Sequence, residues 1–160
     1  MFRPKQVDQH VQPEKGSVNS MTDVKSGSPE ERSVLAKALA EEGREDETRG
    51  ALGDSLDKLT AAIDLLPESE PSPLRVDILR WLGTTLRELG RTGDAESRYE
   101  ESRALAHDLD YGAGEAHALN CLAIVAQRRG DMEEARSLYR QAARQANDAG
   151  EHRLAGMVEQ

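Results

Sequence analysis

The sequence predicts an all-α protein in which antiparallel helix hairpins stack side by side as a short α-solenoid. Three observations predict this class. The 160 residues are 32% charged and only 3% aromatic, a composition that favours helices packed through small side chains over a β-sandwich. Apolar residues recur at helical spacing from about residue 29 onward. Gly50, Gly90 and Gly130 recur at equal intervals along the chain, which indicates an internal repeat.

Charge and cysteine content exclude several classes of function. The net charge of −9 repels phosphate backbones, so we expect no nucleic-acid partner. Cys121 is the single cysteine, which excludes an intrachain disulfide and a multi-cysteine zinc site. The first residues lack the apolar core of a signal peptide, and no apolar run approaches the roughly 20 residues of a spanning helix. We therefore expect a soluble, cytoplasmic protein without a membrane partner.

The chain is expected to begin with a disordered leader, residues 1–27, which is polar and shows no periodicity. Helical order should start at Ser28, because Ser28, Pro29 and Glu31 form a capping-box sequence. The first helix is predicted over 29–48 and carries Val34 among its apolar residues. Gly43 is expected to interrupt it.

Six further helices follow, with the linker 68–73 between the first two hairpins. Pro67 ends the second helix, whose apolar residues include Leu56, Leu59 and Ile63. The third helix is expected to turn Leu79, Leu82, Leu86 and Leu89 inward, among others. The predicted ranges are 53–66, 74–89, 93–108, 113–129, 131–148 and a partial terminal helix at 151–160. One repeat domain over 28–160 is expected, with hairpins at about 29–67, 74–108 and 113–148.

The regular spacing of the three glycines extends to the side chains that follow them. Five positions after each glycine lies a small residue, four further on a large one, and three more on a small one. The glycine is expected to end the first helix of each hairpin, because it adopts a positive φ without a Cβ clash. Thr92 or Asp131 is expected to cap the helix that follows.

These spacings resemble the tetratricopeptide repeat family. Residues 79–99 read L-x2-L-G-x2-L…A-x3-Y and residues 119–139 read L-x2-L-A-x2-A…A-x3-Y, similar to the family pattern W-x2-L-G-x2-Y…A-x3-F. The resemblance covers 76–148 well and 36–67 weakly, because Glu42 and Asp46 stand where apolar residues are expected. The 40-residue period is similar to the long-repeat subgroup found in bacterial regulators and scaffold proteins. The resemblance implies a right-handed solenoid.

The resemblance also implies a concave groove, lined by the first helix of each hairpin, that binds a peptide or a helix of a partner protein. Carried onto this chain, the groove residues are Asp77, Arg80, Trp81, Thr84 and Arg87, followed by His117, Asn120, Cys121, Ile124 and Arg128. The arginines suit an acidic or carboxylate-bearing ligand. Alternatively, they are solvated residues that pair with Glu88 and Glu115. Trp81 is either a groove anchor or a filler between hairpins.

The expected function is protein–protein interaction by a non-catalytic adaptor or regulator, with no cofactor and no metal. One alternative is the peptide-sensing domain of a bacterial regulator, which would need a separate DNA-binding motif. Another is a metal-dependent hydrolase using His107, Asp108, Asp110 and His117, although such side chains near a helix end are more often solvated or capping. At the C-terminus, Leu154, Met157 and Val158 form a short apolar stripe. This stripe predicts a capping helix, a homodimer surface or a longer array.

Overall fold

The computed structural model describes residues 26–158, with side chains up to residue 156. The predicted leader 1–27 lies almost wholly outside these described residues. Within them the chain forms seven helices: α1 Pro29–Thr48, α2 Leu52–Asp64, α3 Pro73–Glu88, α4 Thr92–Asp108, α5 Gly112–Arg129, α6 Met132–Asp148 and α7 His152–Val158. The predicted all-α hairpin stack is confirmed.

Each hairpin pairs a first helix with the second helix that follows it. The first helices α1, α3 and α5 also contact one another along the stack, and α7 continues their row against α5. The second helices α2, α4 and α6 pack mainly on first helices instead of on each other within the described residues. The stack therefore has two different sides, one formed by first helices and one by second helices.

Helix α1 begins as its sequence predicts. The backbone N–H of Glu31 donates to Ser28 Oγ at 3.2 Å, and the N–H of Ser28 donates to Glu31 Oε2 at 2.8 Å. This reciprocal capping box satisfies two N–H groups that the helix itself leaves unpaired. Helix α3 starts similarly, with Ser72 Oγ accepting the N–H of Arg75 at 3.3 Å.

The turns between helices use left-handed residues. Gly50, Gly90 and Gly130 have φ of 79°, 78° and 93°, as predicted for helix-ending glycines. The same conformation recurs after second helices, at Gly150 with φ of 77° and at Asp110 with φ of 54°. From α3 to α6, every helix is therefore followed by the same kind of turn, which occurs twice in each period of the sequence pattern.

The predicted side-chain caps of the second helices are wrong. Thr92 lies inside α4, after the cap position at Arg91, and Asp131 caps α6 without a side-chain hydrogen bond. Asp131 instead accepts a hydrogen bond from Arg129. The cap residues have ψ of 60° and 71°, whereas Ser28, which does cap, has ψ of 158°. In these tight turns the cap residue does not adopt the extended backbone conformation. That conformation normally directs a cap side chain towards the backbone N–H groups of the first helical turn.

Gly43 does not interrupt α1, contrary to expectation. The helix is continuous, and Gly43 is buried where α1 meets α2. A Cβ at this position would lie 3.0 Å from Leu59 Cγ. The glycine therefore permits close approach of two helices. Gly83, its counterpart in the next repeat, has the same role, because the Tyr99 ring packs against it.

The core follows most of the predicted apolar stripes. Leu59, Ile78, Leu79 and Tyr99 are among its largest fully buried side chains. One predicted position is wrong, because Leu89, expected to face inward, is 40% exposed; the apolar Val34 of α1 is also 71% exposed. Val34 lies on the side of α1 that has no neighbouring helix within the described residues, and Leu89 is the C-terminal cap residue of α3.

Buried hydroxyl groups join the helices at two points. Ser55 and Thr85 share a hydrogen bond of 2.9 Å between their hydroxyl oxygens, which connects α2 to α3. Ser102 Oγ donates to the carbonyl oxygen of Val76 at 2.8 Å and connects α4 to α3. All three hydroxyl-bearing side chains are fully buried. These bonds satisfy polar groups that would otherwise be costly to bury.

Glu42 and Asp46, the polar residues at expected apolar positions of the first hairpin, belong to an ion-pair cluster. Asp46 is 4% exposed, and its Oδ2 lies 2.7 Å from Lys58 Nζ; it also pairs with Arg49. Glu42 remains exposed and lies 3.3 Å from the same lysine nitrogen. At the position of Asp46 the first hairpin therefore packs through an ion pair, whereas the later hairpins have apolar side chains at the equivalent position.

The stability of this cluster should depend on pH. Hydrogen bonds from Lys58 and then Arg49 hold the pKa of Asp46 below its usual value of 3.8. Because the folded-state pKa is lowered, the stabilisation is complete above the unfolded-state pKa and is lost as the pH falls through the folded-state value. We expect Asp46→Asn to lower the thermal midpoint at pH 7, and the difference from wild type to shrink below about pH 4.

Thermal melts of the wild-type protein and of Asp46→Asn, measured from pH 7 down to about pH 3, test this expectation. The control is Asp57→Asn, because Asp57 is exposed and has no ion pair within the described residues. A difference that stays constant down to about pH 3 would contradict the assigned role of Asp46.

Candidate interaction surface

The row of first helices presents a continuous surface, which we call the first-helix face. We define it by the residues that the sequence predicts for the groove, together with Arg44 and Glu47 of α1. Most predicted residues are half-buried, namely Asp77, Arg80, Trp81, Thr84, Arg87, His117, Asn120, Cys121 and Ile124, whereas Arg128 is exposed. They lie at helical spacing on the neighbouring helices α3 and α5, so the structure brings them together on one side of the stack.

Trp81 lies where α1 meets α3. The guanidinium carbon of Arg44 is 4.7 Å from the centre of the Trp81 ring, and that of Arg80 is 5.5 Å away. Both distances fit cation–π contact. The ring also packs against the core while remaining partly exposed. Trp81 thus fills space between hairpins and still presents an aromatic surface.

Arg44 and Glu47 are missing from the sequence-based set of groove residues, although the spacing of the repeat indicates them. They are the counterparts, one repeat earlier, of Thr84 and Arg87, which are in that set. The first repeat resembles the family pattern only weakly, because Glu42 and Asp46 stand at positions that are apolar in the later repeats. Burial raises the pKa of Glu47, while the charge of Arg44 opposes this shift.

The arginines of the face differ in their local partners. Arg80 Nη2 lies 3.3 Å from Asp77 Oδ1, and Arg87 Nη2 lies 2.9 Å from Glu88 Oε1. The buried Nε of Arg80 has no hydrogen-bond partner within the described residues. Arg128 is exposed, with no ion pair in that part of the chain. The face therefore retains guanidinium groups with unused hydrogen-bonding capacity.

The sequence-based pairing of arginine with Glu115 is wrong. Glu115 is buried on the side of the second helices, where its Oε2 accepts a hydrogen bond from Gln145 Nε2 at 2.9 Å. The same oxygen lies 3.5 Å from His107 Nδ1. The pairing of Arg87 with Glu88 is confirmed.

A polar network lies directly beneath the face. Tyr99 reaches up from α4, and its hydroxyl donates to Thr84 Oγ1 at 3.2 Å. Burial raises the pKa of Tyr99 to about 12. Burial also raises the pKa of the Cys121 thiol and lowers the pKa of His117. At neutral pH the thiol is therefore protonated and the imidazole uncharged, so the charge of the face comes from its arginines and carboxylates.

Comparison with known proteins agrees with the helical repeat fold. The family model described as tetratricopeptide repeat matches residues 74–148. Residues 74–148 carry tetratricopeptide repeats. No curated protein matches the sequence significantly. Proteins with tetratricopeptide repeats are generally non-catalytic scaffolds for protein–protein interaction, so the fold places this chain among interaction proteins in general terms.

Two solved structures show the same fold. BtubC (BKLC) from P. vanneervenii has a TM-score of 0.67 and 17% sequence identity, and the match covers 86% of this chain and 60% of that chain. The C-terminal TPR-containing domain of a Plasmodium falciparum protein named as an FK506-binding protein has a TM-score of 0.59 and 17% identity. That match covers 87% of this chain and 93% of the domain. The chain thus spans three fifths of BtubC, and the likeness concerns the fold alone.

The residues of the hydrolase alternative lie on different sides of the repeat stack. His107 contacts Glu115 on the side of the second helices, whereas His117 belongs to the first-helix face. Within residues 26–158, the structure groups no three His, Cys, Asp or Glu side chains in a way that could hold a metal ion. Residues 26–158 contain no candidate membrane-spanning helix.

Proposed function

We propose that this repeat protein is a non-catalytic adaptor or regulator that binds a peptide or helix of a partner protein on its first-helix face. The observation that carries the proposal is the partly exposed Trp81 with Arg44 and Arg80 beside its ring. Aromatic and arginine side chains dominate the energetics of protein interfaces. Arg44 comes from the first hairpin, and Arg80 and Trp81 come from the second, so a ligand lying across the junction contacts both hairpins.

The ligand is expected to carry a carboxylate. Arg80 and Arg87 each have one acidic partner close in sequence and keep further N–H donors, and Arg128 has no ion pair within the described residues. Guanidinium groups bind carboxylates through two parallel hydrogen bonds. A ligand carboxylate would compete with Asp77 and Glu88 for these donors, which favours ligands with more than one acidic group.

The proposal is tested with peptides selected from a random display library on the purified protein. We expect Trp81→Ala and Arg80→Glu each to weaken the selected peptides by at least about tenfold. The control is Arg140→Glu, an exposed residue on the second helix α6 that carries the same charge change. If peptides bind both face variants as tightly as the control variant, the first-helix face is not the binding site.

Self-association through the C-terminal stripe remains a prediction. Leu154 and Ala155 of α7 are buried against Ala116 and Ala146. Part of the stripe is therefore covered by the chain itself, as a capping helix requires. Sedimentation velocity over a range of protein concentrations separates the two outcomes, because a homodimer dissociates on dilution and a capped monomer keeps one sedimentation coefficient.

A further inference from the structure

A second groove lies on the side of the second helices, between α2 and α4. Its volume is about 860 Å³, within the range of roughly 300–1,000 Å³ that is usual for binding clefts. Leu82 and Leu86 of α3 contribute to its lining, and Pro67 and Glu68 of the linker border it. The groove exists because α2 and α4 both pack on α3 and leave space between themselves. We call it the outer groove.

The two walls of the outer groove differ in charge. The α4 wall carries internally paired charges: Arg91 Nη2 lies 2.7 Å from Asp94 Oδ2, and Arg98 Nη1 lies 2.6 Å from Glu101 Oε2. The α2 wall presents Asp57, Thr60, Ala61 and Asp64, a spacing that places them on one helix face. Asp57 and Asp64 are both exposed and have no ion pair within residues 26–158.

The acidic residues of the α2 wall are not required by the repeat. One repeat after Asp57 and Asp64 the chain has Ser97 and Ala104, and the following repeat has Ser137 and Arg144. The hairpins therefore fold with neutral or basic side chains at these positions. Asp57 and Asp64 thus place two exposed carboxylates beside the groove with no ion pair within the described residues, and a ligand of opposite charge would supply that partner.

We propose that the outer groove docks a basic amphipathic helix of a partner protein, with Lys or Arg side chains seven positions apart that pair with Asp57 and Asp64. Seven residues of helix rise roughly 10.5 Å, so a helix lying along α2 matches the spacing of the two carboxylates. The aliphatic stems of the basic side chains would cover the partly exposed Leu56 and Ile63 in the lining. A second copy of this chain fits less well, because its charge of −9 repels the acidic wall.

The probe is a synthetic 15-residue amphipathic helix of leucine, glutamine and lysine, with two lysines seven positions apart and neutral ends. A matched peptide with glutamate in place of lysine is the ligand control. We expect the lysine peptide to bind the full chain, and the double variant Asp57→Ser/Asp64→Ala to weaken binding by about tenfold. The variant introduces the residues that the next repeat already carries, so its fold should be preserved.

The protein control is Glu45→Ala/Asp148→Ala, which removes two exposed acidic side chains outside the outer groove. Binding by this variant within about twofold of wild type supports the proposal. Equal weakening by both double variants would show non-specific attraction to an acidic protein and would overturn the proposal. Absence of binding, equal binding of the glutamate peptide, or a homodimer abolished by Asp57→Ser/Asp64→Ala would overturn it as well.

Discussion

Replacement of Tyr99 by alanine is expected to lower the free energy of unfolding by about 3–5 kcal/mol, the cost typical of removing a buried aromatic ring. Tyr99 is fully buried between α3 and α4. Its ring packs on Gly83, so alanine would leave a cavity that the two helices cannot close without moving together. In a chain of this size the thermal midpoint should fall by roughly 10 °C. Chemical denaturation and thermal melts measure both quantities.

Two further variants test whether burial of the aromatic ring accounts for this loss of stability. Tyr99→Phe keeps the ring and removes the hydrogen bond to Thr84, so we expect a loss of only about 1 kcal/mol. Tyr139→Ala changes the repeat-equivalent tyrosine, which is half-buried and bonded to Gln127 near the surface. Its cost should be about 1–2 kcal/mol. Equal costs for Tyr99→Ala and Tyr139→Ala would show that burial does not distinguish the two sites.

The second large effect is expected at Gly83, where alanine should destabilise the protein by about 1–3 kcal/mol. A Cβ here would lie 2.6 Å from Tyr99 Cε1 and 3.2 Å from the carbonyl oxygen of Ala95. The ring can yield only by leaving its buried position, and the carbonyl belongs to the α4 backbone. This cost outweighs the gain of up to about 1 kcal/mol that alanine normally brings to a helix interior.

Gly53 supplies the matched control for this substitution. It also lies in a helix, and a Cβ there would meet no atom within 4 Å. We therefore expect Gly53→Ala to leave stability unchanged or raise it by up to about 1 kcal/mol. The opposite signs of the two glycine substitutions, measured by urea denaturation, check the assignment. A stabilising Gly83→Ala would mean that the helices are not in close contact at this point.

Much of the fold could be predicted because each hairpin repeats one local pattern. The glycines at 50, 90 and 130 end helices for a reason that depends on one residue, namely the freedom to adopt a positive φ. The capping box at Ser28 likewise depends on a few neighbouring residues. Such features can be read from the chain because their physical cause is local.

The candidate site could be predicted in part for the same reason. Helical spacing was sufficient to place the residues of α3 and α5 on one face, since that spacing follows from helix geometry. The position of Arg44 beside Trp81 could not be predicted, because it depends on how α1 lies against α3 and the first repeat matches the family pattern only weakly. The burial of Asp46 could not be foreseen either, because its partner Lys58 lies on another helix.

The sequence by itself determined the helices, their hairpin pairing and the period of the repeat, because glycine conformation and helical periodicity act over a few residues. Only the tertiary structure decided which glycines allow two helices to pack closely. Gly90 turns the chain, whereas Gly83 and Gly43 lie inside helices and admit a side chain from the neighbouring helix. The sequence alone places Gly90 at a helix end but does not show the role of Gly43 and Gly83, because that role depends on the distance between two helices, which long-range packing sets.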